Sequence, residues 1–214
     1  MKDLVIIGAG GFGREVAEYV RAINEETPTW NFLGFIDDGK AETPEGHRIL
    51  GNLDYLLGLK EKPYFAIAIA NSVVREKMAN RCLEAQLPAA TIIHPTTLIG
   101  PNCEIGEGCI ICRNCHLTTN VKIGKFNIIN GRCSIGHDAV MGDYCSMMTS
   151  ALIGGETNIG NHNYFGLRCT MINLIDTCDH CTFGACACIV KDTTEPGTYV
   201  GVPAKKIKPW IGNE

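Results

Sequence analysis

From Ile93 to Ile189 the chain returns to an apolar residue every sixth position. The row runs Ile93, Ile99, Ile105, Ile111, Leu117, Ile123, Ile129, Ile135, Met141, Met147, Ile153, Ile159, Phe165, Met171, Thr177, Phe183 and Ile189, and only Thr177 breaks it. Neither a helix, at 3.6 residues per turn, nor an ordinary strand, at two, repeats in this way. A chain wound as a prism does, because each pass brings the same kind of wall back to the core. The spacing therefore predicts a parallel β-helix.

Two further slots keep the same phase. Gly100, Gly106, Gly124, Gly136, Gly142, Gly154, Gly160, Gly166 and Gly184 directly follow an apolar position. They are expected to supply the positive φ of tight corners between short strands. The slot four residues after each apolar one holds mostly small side chains, among them Cys109, Ala139, Cys145, Ala151 and Ala187, as a narrow interior requires. The phase also decides how to read twelve cysteines. Cys103, Cys109, Cys115, Cys133, Cys145, Cys169 and Cys181 occupy that small-residue slot, where a free thiol acts as a small hydrophobe. The C-x-x-C-x-x-C run at Cys109, Cys112 and Cys115 is thus read as core, and no metal site is expected.

The hexads leave about ninety residues before them, so two domains are expected, 1–90 and 91–214. Residues 4–7 form an apolar strand that runs into Gly8-Ala9-Gly10-Gly11-Phe12-Gly13, and residues 14–24 read as a helix. A second strand, 31–36, ends in Asp37-Asp38; a third, 64–70, ends in Asn71, with a helix over 72–86. Strand, glycine loop, helix and acid in this order predict a Rossmann-like nucleotide-binding α/β unit, the loop amides facing a diphosphate at the positive end of the helix. The plain alternative is a glycine turn that only packs helix on sheet. NAD is disfavoured because a dinucleotide fold needs two such halves and the segment holds about one.

Net charge of −4 and dispersed Lys and Arg speak against nucleic acid. No apolar run reaches the length of a membrane span, and 1–8 reads as a strand rather than a signal peptide, so a soluble cytoplasmic protein is expected. For chemistry, His137 falls at a corner with Asp138 beside it, a pair able to take a proton near neutrality. An exposed turn histidine is the competing reading, and spacing alone leaves His94, His116, His162 and His180 open as well.

The Gly8 to Gly13 loop, Ile36-Asp37-Asp38, Ile67-Ala68-Ile69-Ala70-Asn71, Ile93-His94-Pro95, Gly136-His137-Asp138 and the closing Gly201-Val202-Pro203-Ala204-Lys205 carry a resemblance. Over roughly 3–208 the chain resembles the bacterial sugar O-acyltransferase family of hexapeptide-repeat transferases. That group includes sialic-acid O-acetyltransferases and N-acetyltransferases of nucleotide-linked 4-amino-4,6-dideoxy sugars. The resemblance implies a left-handed β-helix, a homotrimer, and acetyl-CoA lying in the groove between neighbouring helices. It implies a nucleotide sugar held by Gly10, Gly11, Phe12, Asp37, Asp38, Ala70 and Asn71. Ser146, Gly155, Leu167, Ala185 and Lys205 are expected at the coenzyme, with a backbone amide near Gly154 or Gly155 facing the oxyanion. His137 matches the family's catalytic histidine and Asp138 its acidic partner. Phe12 and Ser146 stand where many or some members carry histidine.

The leading expectation is therefore acetyl transfer to the amine of a UDP- or dTDP-linked 4-amino-4,6-dideoxy sugar, without an acyl-enzyme. O-acetylation of a sialic acid or related sugar is the alternative. A non-catalytic ligand-sensing scaffold and an NAD-dependent oxidoreductase are the readings from other classes. Two local expectations complete the picture. Residues 173–178, lacking proline and glycine, predict a loosened coil, and 201–210 are expected to close the base of the last coil, with Lys205 or Lys206 free for phosphates.

Overall fold

The computed structural model describes residues 1–39 and 43–211. Strands β1 (Lys2–Ile7), β2 (Trp30–Ile36), β3 (Ile49–Gly51) and β4 (Tyr64–Ile67) form a parallel sheet in the order β3-β2-β1-β4. Helices α1 (Gly11–Glu26), α2 (Leu53–Leu57) and α3 (Ser72–Glu84) accompany it. α1 buries Val16, Ala17, Tyr19 and Val20 on one face, and Asn71 caps α3 by accepting from the Val74 amide at 3.0 Å. The helix begins three residues earlier than its sequence pattern suggests, inside the glycine loop. β3 and α2 have no counterpart among the sequence expectations: three residues and five carry too little periodicity to read.

From Ile92 the chain winds into the expected prism. Three walls of short parallel strands are joined at corners, and each strand pairs with the one eighteen residues on. The first wall runs Ile92, Ile110, Ile128, Ser146, Tyr164, Thr182. The second runs Leu98, His116, Ser134, Leu152, Thr170, Cys188, and the third Glu104, Lys122, Val140, Asn158, Asp176. From Ile111 onward the hexad residues point inward and are buried with the small-slot residues Cys109, Cys115, Cys133, Cys145, Cys169 and Cys181, while Ile93 and Ile105 in the first coil are partly buried and Ile99 is exposed. Cys112, between two of them, instead packs under the α/β domain, so the C-x-x-C-x-x-C run is split between two cores. Burial pushes the thiols of Cys109, Cys145 and Cys169 up to about 12, which leaves them protonated and poor nucleophiles.

The glycine expectation needs correction. Positive φ falls two residues after the hexad glycine slot, mostly on residues with side chains: Asn120 (56°), Phe126 (52°), Asp138 (60°), Tyr144 (58°) and His162 (58°). Backbone bonds from the coil beneath hold these positions, as in Asn120 N to Pro101 O at 3.0 Å and Tyr144 N to Lys125 O at 2.9 Å. The glycines serve close approach instead. A Cβ on Gly124 would lie 2.8 Å from the Gly142 carbonyl carbon, and one on Gly136 would lie 2.6 Å from that of Gly154. In the α/β domain Gly13 does the same, since its Cβ would meet the Gly8 carbonyl oxygen at 1.9 Å.

Thr177 breaks the apolar row for a local reason: its buried hydroxyl accepts from Asn163 Nδ2 at 2.9 Å, satisfying an amide in the small-residue slot. The coil over 173–178 is not loosened, for Asp176 and Thr177 keep the ladder to Asn158 and Ile159. The tail divides its work. Its turn hydrogen-bonds Cys188 through Gly201 and Ala204, while strand Lys205–Pro209 runs antiparallel along Gly197–Val200 and edges the first wall rather than covering the base. Lys206 Nζ is paired with Glu195 Oε2 at 2.6 Å.

The α/β domain docks on the first wall, where Ile92, Ile110 and Ile128 face outward and are buried against it. One buried arginine locks the seam. Arg75 of α3 donates from Nε to Phe126 O (2.8 Å), from Nη1 to Ile69 O (2.7 Å) and Ala70 O (3.0 Å), and from Nη2 to Tyr144 O (2.6 Å), Cys145 O (3.1 Å) and Ser146 Oγ (3.1 Å). Burial pulls its pKa down to about 10, still far enough above neutrality to keep the charge. Among the described residues no helix is long and apolar enough to cross a membrane.

Candidate active site

His137 stands on the second corner of the prism, where the chain leaves Ile135 and turns through Gly136. Its side chain is 55 % exposed, and Nδ1 lies 2.8 Å from Asp138 Oδ2. Asp138 adopts the left-handed corner conformation, and its second oxygen accepts from Asn120 Nδ2 at 2.8 Å. Those hydrogen bonds, Asn120 first and His137 second, hold the Asp138 carboxyl below the usual carboxylate range. The acid is therefore ionised and oriented before any substrate arrives. Gly155, one coil further on, lies buried against the imidazole: a Cβ there would sit 2.8 Å from both Cε1 and Nε2 of His137. With Nδ1 committed to the carboxylate, Nε2 is the ring nitrogen left for a proton from outside.

The glycine loop lies elsewhere in the chain. Gly11 and Phe12 border a cavity of about 540 Å³ with Arg14 and Glu45 on one side and Asn130 and Thr149 of the prism's first corner on the other. Among the described residues a Cβ on Gly10 would meet nothing within 4 Å and no side chain caps α1 there, which leaves its first amides to a ligand. Asp37 supports this loop, accepting from the Ala9 amide through Oδ2 (2.8 Å) and from Gly39 through Oδ1 (3.0 Å). Asp38 is exposed and borders a separate groove with Asn52, Asp54 and Lys77.

Other residues singled out in the sequence are committed to the seam. The Ala70 carbonyl accepts from both Arg75 and the Ser146 hydroxyl (3.1 Å), and Asn71 caps α3. Ala70, Asn71 and Ser146 also border a cavity of about 480 Å³ on the upper first wall, with Tyr164, Lys208 and Trp210. Leu167 and Ala185 continue the first corner above Thr149 and are exposed; Lys205 is exposed on the edge strand. The second wall separates all of them from His137. Within one chain the glycine loop and the imidazole thus occupy different edges of the prism.

Sequence reasoning missed Arg75, which has no carboxylate partner among the described residues and sits at no motif. It also missed Asn120, although the eighteen-residue coil places Asn120 directly beneath Asp138 and could have revealed it. No group of three His, Cys, Asp or Glu side chains able to hold a metal occurs among the described residues.

Comparison with known proteins places this geometry. Residues 3–82 match the PglD N-terminal domain and residues 90–125 the bacterial transferase hexapeptide (six repeats). GDP-perosamine N-acetyltransferase of Escherichia coli O157:H7 is 31% identical over 135 residues, which cover 62% of this chain but only 61% of that relative. The acetyltransferase domain of PglB from Neisseria gonorrhoeae FA1090, solved in complex with acetyl coenzyme A, aligns with a TM-score of 0.90 at 25% identity over 96% of this chain and 99% of that one. WeeI from Acinetobacter baumannii AYE aligns with a TM-score of 0.86 at 31% identity over 97% of this chain and 100% of that one. Two matched domains in the same order, and full-length likeness to these structures, show that the chain belongs to the hexapeptide-repeat sugar acetyltransferase family with a PglD-type N-terminal domain.

Proposed function

We propose that the protein transfers the acetyl group of acetyl-CoA to the amine of a nucleotide-linked 4-amino-4,6-dideoxy sugar, with His137 as general base. The observation that carries this reading is the oriented pair: an exposed imidazole whose Nδ1 meets an ionised carboxylate at 2.8 Å, leaving Nε2 as the ring nitrogen outside that pair. As the amine nitrogen bonds to the thioester carbonyl carbon, Nε2 takes one of its protons. When the tetrahedral adduct collapses, the carbon–sulfur bond breaks and the imidazolium returns that proton to the departing sulfur. The Gly155 amide, beside the ring, is the proposed donor to the oxyanion. Buried thiols have no part in this route, and holding both substrates in one cleft supplies most of the acceleration.

The glycine-loop cavity fits the acceptor. Its volume lies in the range of small-ligand sites, the uncapped α1 amides suit a diphosphate, and Gly10 leaves space for it. The acetyl donor is assigned to the first-corner edge of Leu167 and Ala185, which rises from that cavity, with Lys205 near its phosphates and Ser146 lending its position more than its committed hydroxyl. A second copy of the chain, in a homotrimer, brings the imidazole of one prism to the loop of the next. Exposed Leu152, Ile172 and Leu174 around the second corner and Leu167 on the first form the apolar surface such an assembly would cover.

The PglB complex with acetyl coenzyme A supports the donor, and the perosamine N-acetyltransferase supports an amine acceptor. UDP or dTDP is the proposed carrier, and GDP is the natural competitor given that relative's name. A screen of UDP-, dTDP- and GDP-linked 4-amino sugars with acetyl-CoA, following free thiol release, tests the reading. Turnover with an amine-bearing nucleotide sugar is expected. Turnover with sialic acid and none with any amine would replace it by O-acetylation.

A further inference from the structure

Beside and beneath His137, three residues share one position in successive coils. Asn102, Asn120 and Asp138 are spaced by eighteen, and all three adopt the left-handed conformation at the second corner, with φ of 57°, 56° and 60°. Asn102 Nδ2 donates to Asn120 Oδ1 at 3.1 Å, Asn120 Nδ2 to Asp138 Oδ1 at 2.8 Å, and Asp138 Oδ2 meets His137 Nδ1 at 2.8 Å. We propose that this column is a positioning device that fixes the tautomer of His137, with the proton on Nδ1 and the lone pair on Nε2.

The direction of the column follows from what each group can do. An ionised carboxylate only accepts, so Asn120 must turn its NH2 to Asp138 and its carbonyl away. The carbonyl then needs a donor, which Asn102 supplies from below. With Oδ1 satisfied from Asn120, the other oxygen faces the ring and calls for an N–H there, so the neutral imidazole keeps its proton on Nδ1. Backbone bonds brace the rungs, Asn120 N to Pro101 O and Asp138 N to Thr119 O, both at 3.0 Å. The brace matters because Asp138 is 48 % exposed. Without Asn120, nothing among the described residues holds the carboxylate in its rotamer except the ring it is meant to orient.

The catalytic consequence rests on the reading of His137 as base, but the tautomer does not. The test uses full-length protein labelled with 15N-histidine, with the His137 signals identified by their loss in His137→Ala. At a pH where the ring is neutral, wild type is expected to show a protonated Nδ1 and a bare Nε2. Asn120→Gly keeps the left-handed corner at no conformational cost and deletes the amide. It is expected to shift signal toward the Nε2–H tautomer and to lower kcat about tenfold with KM unchanged, the scale of an outer-shell partner. Asn102→Gly, a coil further away, should move both in the same direction by less. Asn114→Gly, at the same left-handed slot on the first corner (φ 57°), should move neither. In an Asp138→Ala background, Asn120→Gly should cost nothing further, since the carboxylate it orients is gone.

A wild-type ring protonated on Nε2, or an Asn120→Gly protein with wild-type tautomer, would overturn the column. Full activity of His137→Ala alongside the expected tautomer shifts would overturn the assignment of the base and leave the column standing.

Discussion

At the second corner a single methyl group separates a seated imidazole from a displaced one. His137 lies across Gly155 so closely that any Cβ there would press on Cε1 and Nε2. Gly155→Ala should therefore swing the ring from its place and also press on the His137 carbonyl oxygen, which the new Cβ would meet at 2.9 Å. Displacement of about 1 Å at a reacting group costs about 10²-fold. That loss is expected in kcat, beyond a modest fall in melting temperature from the backbone contact, when steady-state rates and thermal unfolding are measured together. His162 makes a different statement about charge. It sits in a ladder of rings on the third corner, Phe126, Tyr144, His162 and His180 stacking at 5.4, 5.3 and 4.7 Å, with Trp210 at 4.1 Å on the end. Nδ1 of His162 is buried with no hydrogen-bond partner among the described residues, and burial lowers its pKa despite the Glu76 carboxylate 3.6 Å from Nε2. The neutral ring thus belongs to the folded state. The unfolded chain takes up the proton first, at about 6.5, so stability holds above that pH and falls as pH drops toward the lower folded value. His162→Phe, matching Phe126 in the same column, should flatten this loss, as melting curves at pH 5.5 and pH 8 would reveal.

Among the elements, the seam between α3 and the prism depends most on one side chain. Arg75 satisfies five backbone carbonyls and a hydroxyl without any carboxylate. Arg75→Ala should cost about 3–5 kcal/mol, since it orphans those buried acceptors together. Chemical denaturation would be expected to lose its single transition as the docked domain loosens first. This element scale is also where the sequence was easiest and hardest to read. The hexads named every wall of the prism because the coil imposes its period on each pass. The doublets Ile92-Ile93, Ile110-Ile111 and Ile128-Ile129 show where the domain docks, since elsewhere the outward residue is more often polar. Arg75 was illegible, because its partners are carbonyls, which every residue carries. The hexad glycines were placed correctly and explained wrongly: coil-to-coil contact, not corner dihedrals, demands them.

On the scale of the whole molecule, the proposed chemistry is divided between two edges of one prism. His137-Asp138 could be picked out once the resemblance had been noticed, yet no one-dimensional pattern says that the glycine loop lies across a wall from it. The proposed symmetric ring of copies would join the two edges, and this is testable by mixing. His137→Ala and Gly11→Glu should each be inactive alone; the second is tolerated sterically, for a Cβ on Gly11 meets only Arg14 Nη2 at 4.0 Å. Coassembled in equal amounts, they should recover about a quarter of wild-type activity if each site takes its loop and its imidazole from different copies. No recovery would place both within one chain. The role of His137 is tested most directly by the steady-state rate of His137→Ala with acetyl-CoA and an accepted nucleotide amino sugar, followed by thiol release. A fall in kcat of about 10²- to 10⁴-fold with KM little changed is expected of a lost general base; a rate near wild type would contradict it.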